Sequence, residues 1–336
     1  MTDVPVYKKK DFISDQEVKW CPGCGDYAIL SSIQMAMTKI GKKKEDLVFV
    51  SGIGCSSRFP YYMDTYGMHT IHGRATAIAS GLKLHNPNLE VFVVTGDGDG
   101  LAIGGNHMIH ALRRNIGLRV IMFNNEIYGL TKGQYSPTSR VGQITKSSPF
   151  GVVDRPFSPT ALALGSGATF IARTIDTDPK HITDTVVAAC EHKGVAFVEV
   201  LQNCVIFNDG VHDEVTNKET RDETTVRIEH GKPMIFGKDG KKGLMLKGFN
   251  PVVVTIGENG ITEKDIIVHD ANDYNVSSML TRLSRPDFPL PLGIFRKVET
   301  PVYDVEVQNQ IDTVTNKKGK GDMGAYLKTG DTWEVK

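Results

Sequence analysis

Apolar positions along the chain alternate between helical and strand patterns from about residue 26 to residue 301. Unbroken apolar strands are typical of a parallel sheet covered on both faces, and strands that alternate with helices require crossover connections. The pattern therefore predicts an α/β fold with a doubly wound, mostly parallel sheet. The predicted helices cover residues 27–40, 74–84, 102–114 and 182–192, and the predicted strands cover 47–50, 89–95, 118–123, 168–175 and 195–201.

Two irregular segments, 126–157 and 203–231, interrupt this alternation. Both are longer than ordinary connections, and we expect the first to fold over a ligand. Beyond residue 231 only short apolar runs remain, and a Lys- and Gly-rich tail follows. We therefore predict a main domain over residues 1–230. Residues 231–336 are predicted to be an extension that packs on it or on a partner subunit.

Charge and length narrow the classes of function. The 336 residues contain 39 Lys and Arg against 39 Asp and Glu, so no net basic field favours nucleic acid or an anionic membrane. No apolar run approaches the length that spans a bilayer. Five cysteines in a chain without a secretory signal are more typical of a metal site than of disulfides. We expect a cytoplasmic protein with protein and small-molecule partners.

A Gly-Asp-Gly sequence at residues 96–98 follows one predicted strand, and an Asn pair at 124–125 follows the next. Ligands bind at the carboxyl ends of strands in such sheets. Glycines let the backbone approach a diphosphate, while Asp97 and Asn125 offer hard oxygen ligands to Mg²⁺. The carbonyl of Ile127 could complete the site. The pairing resembles the signature of thiamine-diphosphate enzymes.

Four of the cysteines occupy positions from which thiolates could share one metal centre. Cys21 and Cys24 bracket a Pro-Gly turn, Cys55 comes just after a predicted strand, and Cys204 comes just after another. Tetrahedral zinc could use the same four thiolates, and so could an iron-sulfur cluster. Cys190 lies in an apolar helical run and is predicted to pack as a small hydrophobe.

Together with Gly-Asp-Gly, the sequences Trp-Cys-Pro-Gly-Cys-Gly (20–25), Gly-Ile-Gly-Cys-Ser-Ser (52–57) and His-Gly-Arg (72–74) resemble the beta subunits of 2-oxoacid:ferredoxin oxidoreductases. The resemblance covers roughly the first 210 residues strongly. It implies a [4Fe-4S] cluster held by Cys21, Cys24, Cys55 and Cys204. It also implies thiamine diphosphate bound by Ile53, Gly54, Cys55, Ser56, His72, Gly98, Asp99, Gly129 and Leu130.

The resemblance also implies a reaction and its partners. Thiamine diphosphate would decarboxylate a 2-oxoacid, the cluster would pass electrons to ferredoxin, and coenzyme A would take the acyl group. A family alpha subunit would supply the glutamate that activates the cofactor, in an (alpha-beta)2 assembly. The isolated chain would then be nearly inactive.

We expect 2-oxoglutarate to be the substrate, and its second carboxylate requires a cation. Arg58 and Lys132 are the candidates, and each could instead lie on a solvated face or pair within the protein. His72 is a candidate for contact with diphosphate or substrate, against the simpler alternative of a local backbone contact. The competing functions are the same chemistry on pyruvate or another 2-oxoacid, and a non-catalytic, cofactor-binding or zinc-stabilised assembly module.

Overall fold

The main sheet has eight strands in the order β2-β1-β3-β4-β6-β5-β11-β7 in the computed structural model, which describes residues 4–335. Six of the strands run parallel, and β11 pairs antiparallel with β5 but parallel with β7. The predicted doubly wound, mostly parallel sheet is confirmed. Its strands are β1 (Leu47–Ser51), β2 (Tyr66–His69), β3 (Glu90–Gly96), β4 (Leu118–Asn124), β5 (Phe170–Ile175), β6 (Ala196–Leu201), β7 (Thr225–Ile228) and β11 (Leu290–Lys297).

Helices cover both faces of this sheet, and short 3₁₀ segments join several of the elements. The helices are α1 (Asp26–Met37), α2 (Ala75–His85), α3 (Asp97–Leu101), α4 (Gly105–Arg113), α5 (Pro159–Gly165), α6 (Pro179–Glu191), α7 (Asp213–Thr216), α8 (Arg221–Thr224), α9 (Tyr274–Leu280), α10 (Tyr303–Lys318) and α11 (Met323–Leu327). The 3₁₀ segments are Lys9–Phe12, Lys44–Asp46, Ser56–Tyr62 and Glu263–Asp265.

Alternate side chains of the central strands pack into two separate hydrophobic cores, one on each face of the sheet. Val91 and Val93 face the core formed with α2, α4 and α5, whereas Phe92 and Val94 face the core formed with α1 and α6. Phe92 stacks on Phe49 with ring centroids 4.6 Å apart. Burial of a side chain of this size contributes about 1.5–3 kcal/mol, so the central strands form a rigid support for the carboxyl edge.

The predicted helix over residues 102–114 is wrong at its beginning. The chain forms α3 directly after β3, breaks at Ala102, and restarts as α4 at Gly105. The break brings Gly104 against Gly73, where an added Cβ would lie 2.6 Å from the Gly104 nitrogen. The close approach of two backbones therefore separates the helices.

Three strands of the main sheet were not predicted. All four residues of β2 are exposed, so it lacks the apolar run of a buried strand. β7 lies within the segment predicted to be irregular, and β11 contains Pro291 and Gly293, which interrupt a strand pattern. The segment 126–157, by contrast, contains no helix or regular strand, as expected.

The region beyond residue 230 contributes to the main sheet through β11 and also forms a small antiparallel sheet of its own. That sheet contains β8 (Ile235–Phe236), β9 (Lys242–Lys247) and β10 (Asn250–Thr255). The domain boundary near residue 230 stays a prediction. The predicted ranges 1–230 and 231–336 also include residues 1–3 and 336, which lie outside the described part of the chain.

The chain ends in an exposed helix and tail. Asp304 anchors α10 to the sheet, because its carboxylate accepts a hydrogen bond from the Gly117 N–H at 2.8 Å. Residues 316–335 are exposed. Among residues 4–335, no helix combines the length and the apolar character that a bilayer-spanning segment requires.

Candidate active site at the carboxyl edge of the sheet

A cavity of about 510 Å³ opens where β1, β3, β4 and β6 end. The residues predicted to bind thiamine diphosphate and Mg²⁺ all line it, together with several that were not predicted. Their contact with a cofactor stays a prediction, but the fold brings them to one place. The predicted lining residues are Ile53, Gly54, Cys55, Ser56, His72, Asp97, Gly98, Asp99, Asn125, Ile127, Gly129 and Leu130.

Asp97 is buried at the first turn of α3. One of its carboxylate oxygens accepts hydrogen bonds from the hydroxyls of Ser136 and Thr138, both at 2.5 Å. Burial raises the pKa of Asp97 to about 6, although these hydroxyls oppose the shift. A divalent cation would compensate the buried charge, so Asp97 fits its predicted role as a Mg²⁺ ligand.

Asn125 follows β4 and turns its side chain towards the same cavity. Its Oδ1 accepts a hydrogen bond from the Ile127 N–H at 3.2 Å, and its Nδ2 donates to Gln202 Oε1 at 2.9 Å. The nitrogen of the same amide, Gln202 Nε2, donates to the Cys24 sulfur at 3.3 Å. One side chain thus links a predicted Mg²⁺ ligand to a predicted cluster ligand.

The carboxylate of Asp99 is occupied by protein donors. Its Oδ1 accepts from the Ile53 N–H at 3.0 Å, from the Gly73 N–H at 2.7 Å and from His72 Nδ1 at 2.7 Å. Its Oδ2 accepts from the Thr95 hydroxyl at 2.7 Å. Asp99 therefore holds the ends of β1 and β3 and the start of α2 together, and it orients His72 in the cavity wall.

Glycines admit the close contacts around this cavity. A Cβ at Gly98 would lie 2.2 Å from the ring of Tyr128, whose hydroxyl donates to the Gly98 carbonyl at 3.0 Å. A Cβ at Gly52 would lie 2.0 Å from Asp99 Oδ2. Gly98, which was predicted to let a diphosphate approach, and Gly52, which was not, thus allow the protein's own side chains to pack.

The four predicted cluster cysteines come from the segments after β1 and β6 and from the turn before α1. A Cβ at Gly129 would lie 3.5 Å from the Cys204 sulfur and 3.6 Å from the Cys55 sulfur, so both sulfurs face this cavity-lining glycine. Burial raises the pKa of the Cys55 thiol to about 12 and raises that of Cys24 also. Cys21 is exposed. Buried thiolates need a compensating positive charge, which a bound metal centre would supply.

Within residues 4–335, no three His, Cys, Asp or Glu side chains form a group suited to holding a metal ion. Cys190 lies on α6 at the opposite, amino edge of the sheet, where its carbonyl accepts from Arg119 at 3.3 Å. It therefore does not join the other cysteines.

The two candidate anchors for a substrate carboxylate do not line the cavity. Arg58 donates through Nε to the Tyr62 hydroxyl at 3.0 Å. Lys132 lies in a tight turn with φ of 77° beyond the lining residues Leu130 and Thr131. Their roles stay predictions.

Several lining or supporting residues carried no signal in the sequence. Asp26 and Gln202 line the cavity, and Ser136 and Thr138 reach Asp97 from the segment 126–157. That segment therefore folds against the predicted Mg²⁺ ligand. The adjacency of Gln202 to a strand end was the one available indication, because parallel strands end at a common edge.

Residues 52–200 match the family described as thiamine pyrophosphate enzyme, C-terminal TPP binding domain. Over 99% of its length the chain is 51% identical to the 2-oxoglutarate oxidoreductase subunit KorB of Mycobacterium tuberculosis, of which it covers 90%. It is also 46% identical, over 62% of its length, to the 2-oxoacid:ferredoxin oxidoreductase subunit beta of Saccharolobus solfataricus, of which it covers 68%. The chain belongs to the beta-subunit family of 2-oxoacid:ferredoxin oxidoreductases.

A solved relative extends the likeness to the whole fold. The chain superposes with a TM-score of 0.77 on a chain of the 2-oxoglutarate:ferredoxin oxidoreductase from Magnetococcus marinus with 2-oxoglutarate, coenzyme A and succinyl-CoA bound. The two are 32% identical, and the match covers 98% of each. The predicted family, the fold class and the assignment to an oxidoreductase are confirmed. The matched domain also supports the predicted thiamine diphosphate.

Proposed function

We propose that this beta subunit serves a 2-oxoglutarate:ferredoxin oxidoreductase. The reaction is the oxidative decarboxylation of 2-oxoglutarate with coenzyme A to succinyl-CoA and CO₂, with electrons passed to ferredoxin, and it could also run in reverse. One observation carries the proposal: the predicted cofactor residues line one cavity, and the sulfurs of two predicted cluster ligands, Cys55 and Cys204, both lie close to Gly129 in its wall. The names of the relatives in Mycobacterium and Magnetococcus support the choice of 2-oxoglutarate.

Different residues of this chain would bind Mg²⁺, thiamine diphosphate and the cluster. Asp97, Asn125 and the Ile127 carbonyl would hold Mg²⁺, and Gly98 lets the diphosphate approach the start of α3. Cys21, Cys24, Cys55 and Cys204 would hold a [4Fe-4S] cluster. When bound, thiamine diphosphate supplies carbanion chemistry at the keto carbon, Mg²⁺ neutralises phosphate charge and the cluster accepts single electrons.

The surrounding side chains position these groups. Asp99 orients His72 towards the bound diphosphate or substrate through the hydrogen bond at 2.7 Å. Gln202 fixes Asn125 and Cys24 relative to each other. The predicted Mg²⁺ and cluster sites are thereby held by one continuous set of contacts, which suits electron transfer over a short path.

The proposal includes a partner. The match covers a C-terminal TPP binding domain alone, so an alpha subunit would supply the activating glutamate in an (alpha-beta)2 assembly. We also propose a cytoplasmic enzyme, and the five free cysteines support a reducing compartment. Arg58 or Lys132 would bind the second carboxylate of the substrate after rearranging towards the cavity.

Anaerobic co-purification with the alpha subunit tests the proposal. We expect a brown complex that contains iron, sulfide and thiamine diphosphate, and that reduces a viologen dye with 2-oxoglutarate and coenzyme A while forming succinyl-CoA. Faster turnover of pyruvate or a branched 2-oxoacid would assign the chain to another member of the family. A colourless, zinc-containing and inactive complex would instead support an assembly module.

A further inference from the structure

An ion pair is buried inside the main sheet, two residues before the carboxyl ends of β5 and β6. Arg173 on β5 and Glu199 on β6 are paired in register, and their side chains are 7% and 1% exposed. Arg173 Nε donates to Glu199 Oε2 at 2.7 Å, and the guanidinium also donates to the Thr160 hydroxyl at 3.0 Å. Replacing such a pair by apolar side chains is often neutral or stabilising, so stability alone does not explain why it is there.

The second oxygen of Glu199 sets the orientation of the Asn124 amide. Glu199 Oε1 accepts a hydrogen bond from Asn124 Nδ2 at 2.8 Å, and Asn124 is the buried last residue of β4. The reversed amide would put two acceptor oxygens against each other, because a carboxylate paired with a guanidinium offers only acceptors. The ion pair therefore determines on which side of the amide Asn124 Oδ1 lies.

The oxygen of that amide supports the turn that carries two predicted Mg²⁺ ligands. Asn124 Oδ1 accepts from the Glu126 N–H at 3.3 Å. Glu126 lies between the predicted ligands Asn125 and Ile127, and its φ of 56° is left-handed. A residue with a side chain seldom adopts this conformation unless the surrounding structure holds it. The hydrogen bond from Glu126 to the oriented amide is one such restraint.

The same oxygen also lies beside the third predicted Mg²⁺ ligand. The hydroxyl oxygen of Thr138 is 3.0 Å from Asn124 Oδ1, and it is also within hydrogen-bond distance of Asp97 Oδ2. Asn124, Thr138 and Asp97 are all buried. Because buried side chains are close-packed, a displaced Asn124 amide would displace Thr138 and, through it, Asp97.

We propose that Glu199, held by Arg173, is a positioning residue that gives the cation site its preference for Mg²⁺. The inference rests on the proposed function, because it takes Asp97, Asn125 and the Ile127 carbonyl as the ligands of the cation. Asp97 begins α3 whereas the other two follow β4, so their separation depends on contacts between these segments. Mg²⁺ requires nearly ideal octahedral geometry, whereas Ca²⁺ accepts longer and more variable distances. Ligands fixed relative to one another therefore favour Mg²⁺.

Two double variants separate the hydrogen bond to Asn124 from the charges of the pair. Arg173→Met with Glu199→Gln removes both charges but keeps an oxygen that can accept from Asn124. Arg173→Met with Glu199→Leu removes this acceptor as well. Both double variants avoid the unpaired buried charge that a single substitution would leave. The alpha-beta complex, stripped of cofactor under anaerobic conditions, is titrated calorimetrically with Mg²⁺ or with Ca²⁺ at saturating thiamine diphosphate.

The expected result is a loss of preference for Mg²⁺ in one double variant only. With Glu199→Leu, we expect the Kd of Mg²⁺ to rise at least about tenfold and that of Ca²⁺ less than about threefold, because residues that orient metal ligands commonly contribute about 10–100-fold to affinity. With Glu199→Gln, both dissociation constants should stay within about threefold of those of the wild-type complex.

The matched control is the buried ion pair between Arg119 and Glu90. It joins β4 to β3 at their amino ends, with Nε and Oε1 2.7 Å apart and the side chains 8% and 10% exposed. Arg119→Met with Glu90→Leu removes a pair of the same kind at the opposite edge of the sheet. The ratio of the Ca²⁺ and Mg²⁺ dissociation constants should therefore stay unchanged, even where the melting temperature falls.

Asn124→Leu tests the same contact with the ion pair left intact, so the inference stays testable if the double variant with Glu199→Leu does not assemble. It should lower the preference for Mg²⁺ in the same way, and a wild-type preference in Asn124→Leu would overturn the inference.

Equal weakening of Mg²⁺ and Ca²⁺ with Glu199→Leu would assign the ion pair a purely structural role and overturn the inference. A loss of preference with Glu199→Gln as large as that with Glu199→Leu would overturn it also, because the acceptor would then be irrelevant. Failure of the wild-type complex to bind thiamine diphosphate with Mg²⁺ would overturn the proposed cofactor site itself, and it is recognised before any variant is compared.

Discussion

Asp97 carries the clearest prediction at the scale of single residues. Asp97→Ala removes the predicted Mg²⁺ ligand and leaves the diphosphate charge uncompensated, so we expect cofactor affinity to fall by more than about 100-fold and activity to be lost. The visible absorption of the cluster should survive, because the cysteines lie in other segments. Calorimetric titration with thiamine diphosphate and Mg²⁺ measures the first effect. Undiminished affinity would refute the assignment of Asp97.

Two cysteine variants separate cluster ligation from packing. Cys204 faces Gly129 together with Cys55, whereas Cys190 lies at the amino edge of the sheet. Cys204→Ser should therefore lose or destabilise bound iron, and Cys190→Ser should keep it at some cost in packing. Iron and sulfide analysis of the anaerobic complexes distinguishes the two. Equal iron loss in both variants would mean that the fourth ligand is wrongly assigned.

The ratio of kcat/KM between two substrates tests whether Arg58 or Lys132 binds the second carboxylate of 2-oxoglutarate. Removing the buried partner of a charged group costs about 2–5 kcal/mol, so loss of the true anchor should lower the kcat/KM ratio of 2-oxoglutarate over 2-oxobutyrate by well over about tenfold. Arg58→Met and Lys132→Met are measured in parallel. If a variant loses kcat/KM equally on both substrates, the replaced residue does not bind the second carboxylate. If the kcat/KM ratio is unchanged in both variants, the residue that binds this carboxylate belongs to the partner subunit.

The sequence predicted those site residues that belong to a short motif of neighbouring residues. Gly-Asp-Gly and the cysteine turn are recognisable because several required residues are adjacent in the chain. Asp26 follows the cysteine turn without belonging to its pattern, Gln202 is an isolated polar residue, and Ser136 and Thr138 lie in a segment without regular structure. Their positions depend on how strands from different parts of the chain meet, which local spacing does not encode.

At the scale of elements, the junctions after β1 and β3 depend on a close approach of Gly52 to Asp99. Gly52→Ala would force Asp99 away from Ile53, His72 and Gly73, so we expect weaker cofactor binding and a lower melting temperature. Gly81→Ala is the control, because an added Cβ at this helical glycine has no neighbour within 4 Å. It should be neutral or stabilise by about 0.5–1 kcal/mol.

Melting temperature and the Kd of thiamine diphosphate are measured for both glycine variants in the assembled complex. An effect of Gly52→Ala no larger than that of Gly81→Ala would contradict the role assigned to Asp99 as the contact that joins these junctions.

The elements show how far an apolar pattern predicts a sheet. β3, β4 and β6 lie at its centre, where both faces are covered, and their continuous apolar runs identified them within one or two residues. The edge strand β2 is exposed, and β11 is interrupted by Pro291 and Gly293. Both are strands because neighbouring backbones pair with them, and tertiary pairing of this kind has no counterpart in local hydrophobicity.

At the scale of the whole molecule, the parallel strands end at one edge and bring distant segments to one cavity. The segments after β1, β3, β4 and β6 and the turn before α1 provide the predicted metal ligands, and the small sheet and α10 lie outside the cavity lining. The chain therefore brings these residues together on the support that the sheet provides. Its activity should depend on a partner that covers the same edge.

Freeze-quench electron paramagnetic resonance tests the central claim that this cavity couples thiamine diphosphate chemistry to a cluster in the same chain. The anaerobic alpha-beta complex, loaded with cofactor and Mg²⁺, is mixed with 2-oxoglutarate in the absence of an external acceptor. We predict that the signal of a reduced [4Fe-4S] cluster appears in the wild-type complex and is absent from the Cys204→Ser complex. A wild-type complex that binds thiamine diphosphate and decarboxylates 2-oxoglutarate without producing this signal would contradict the account.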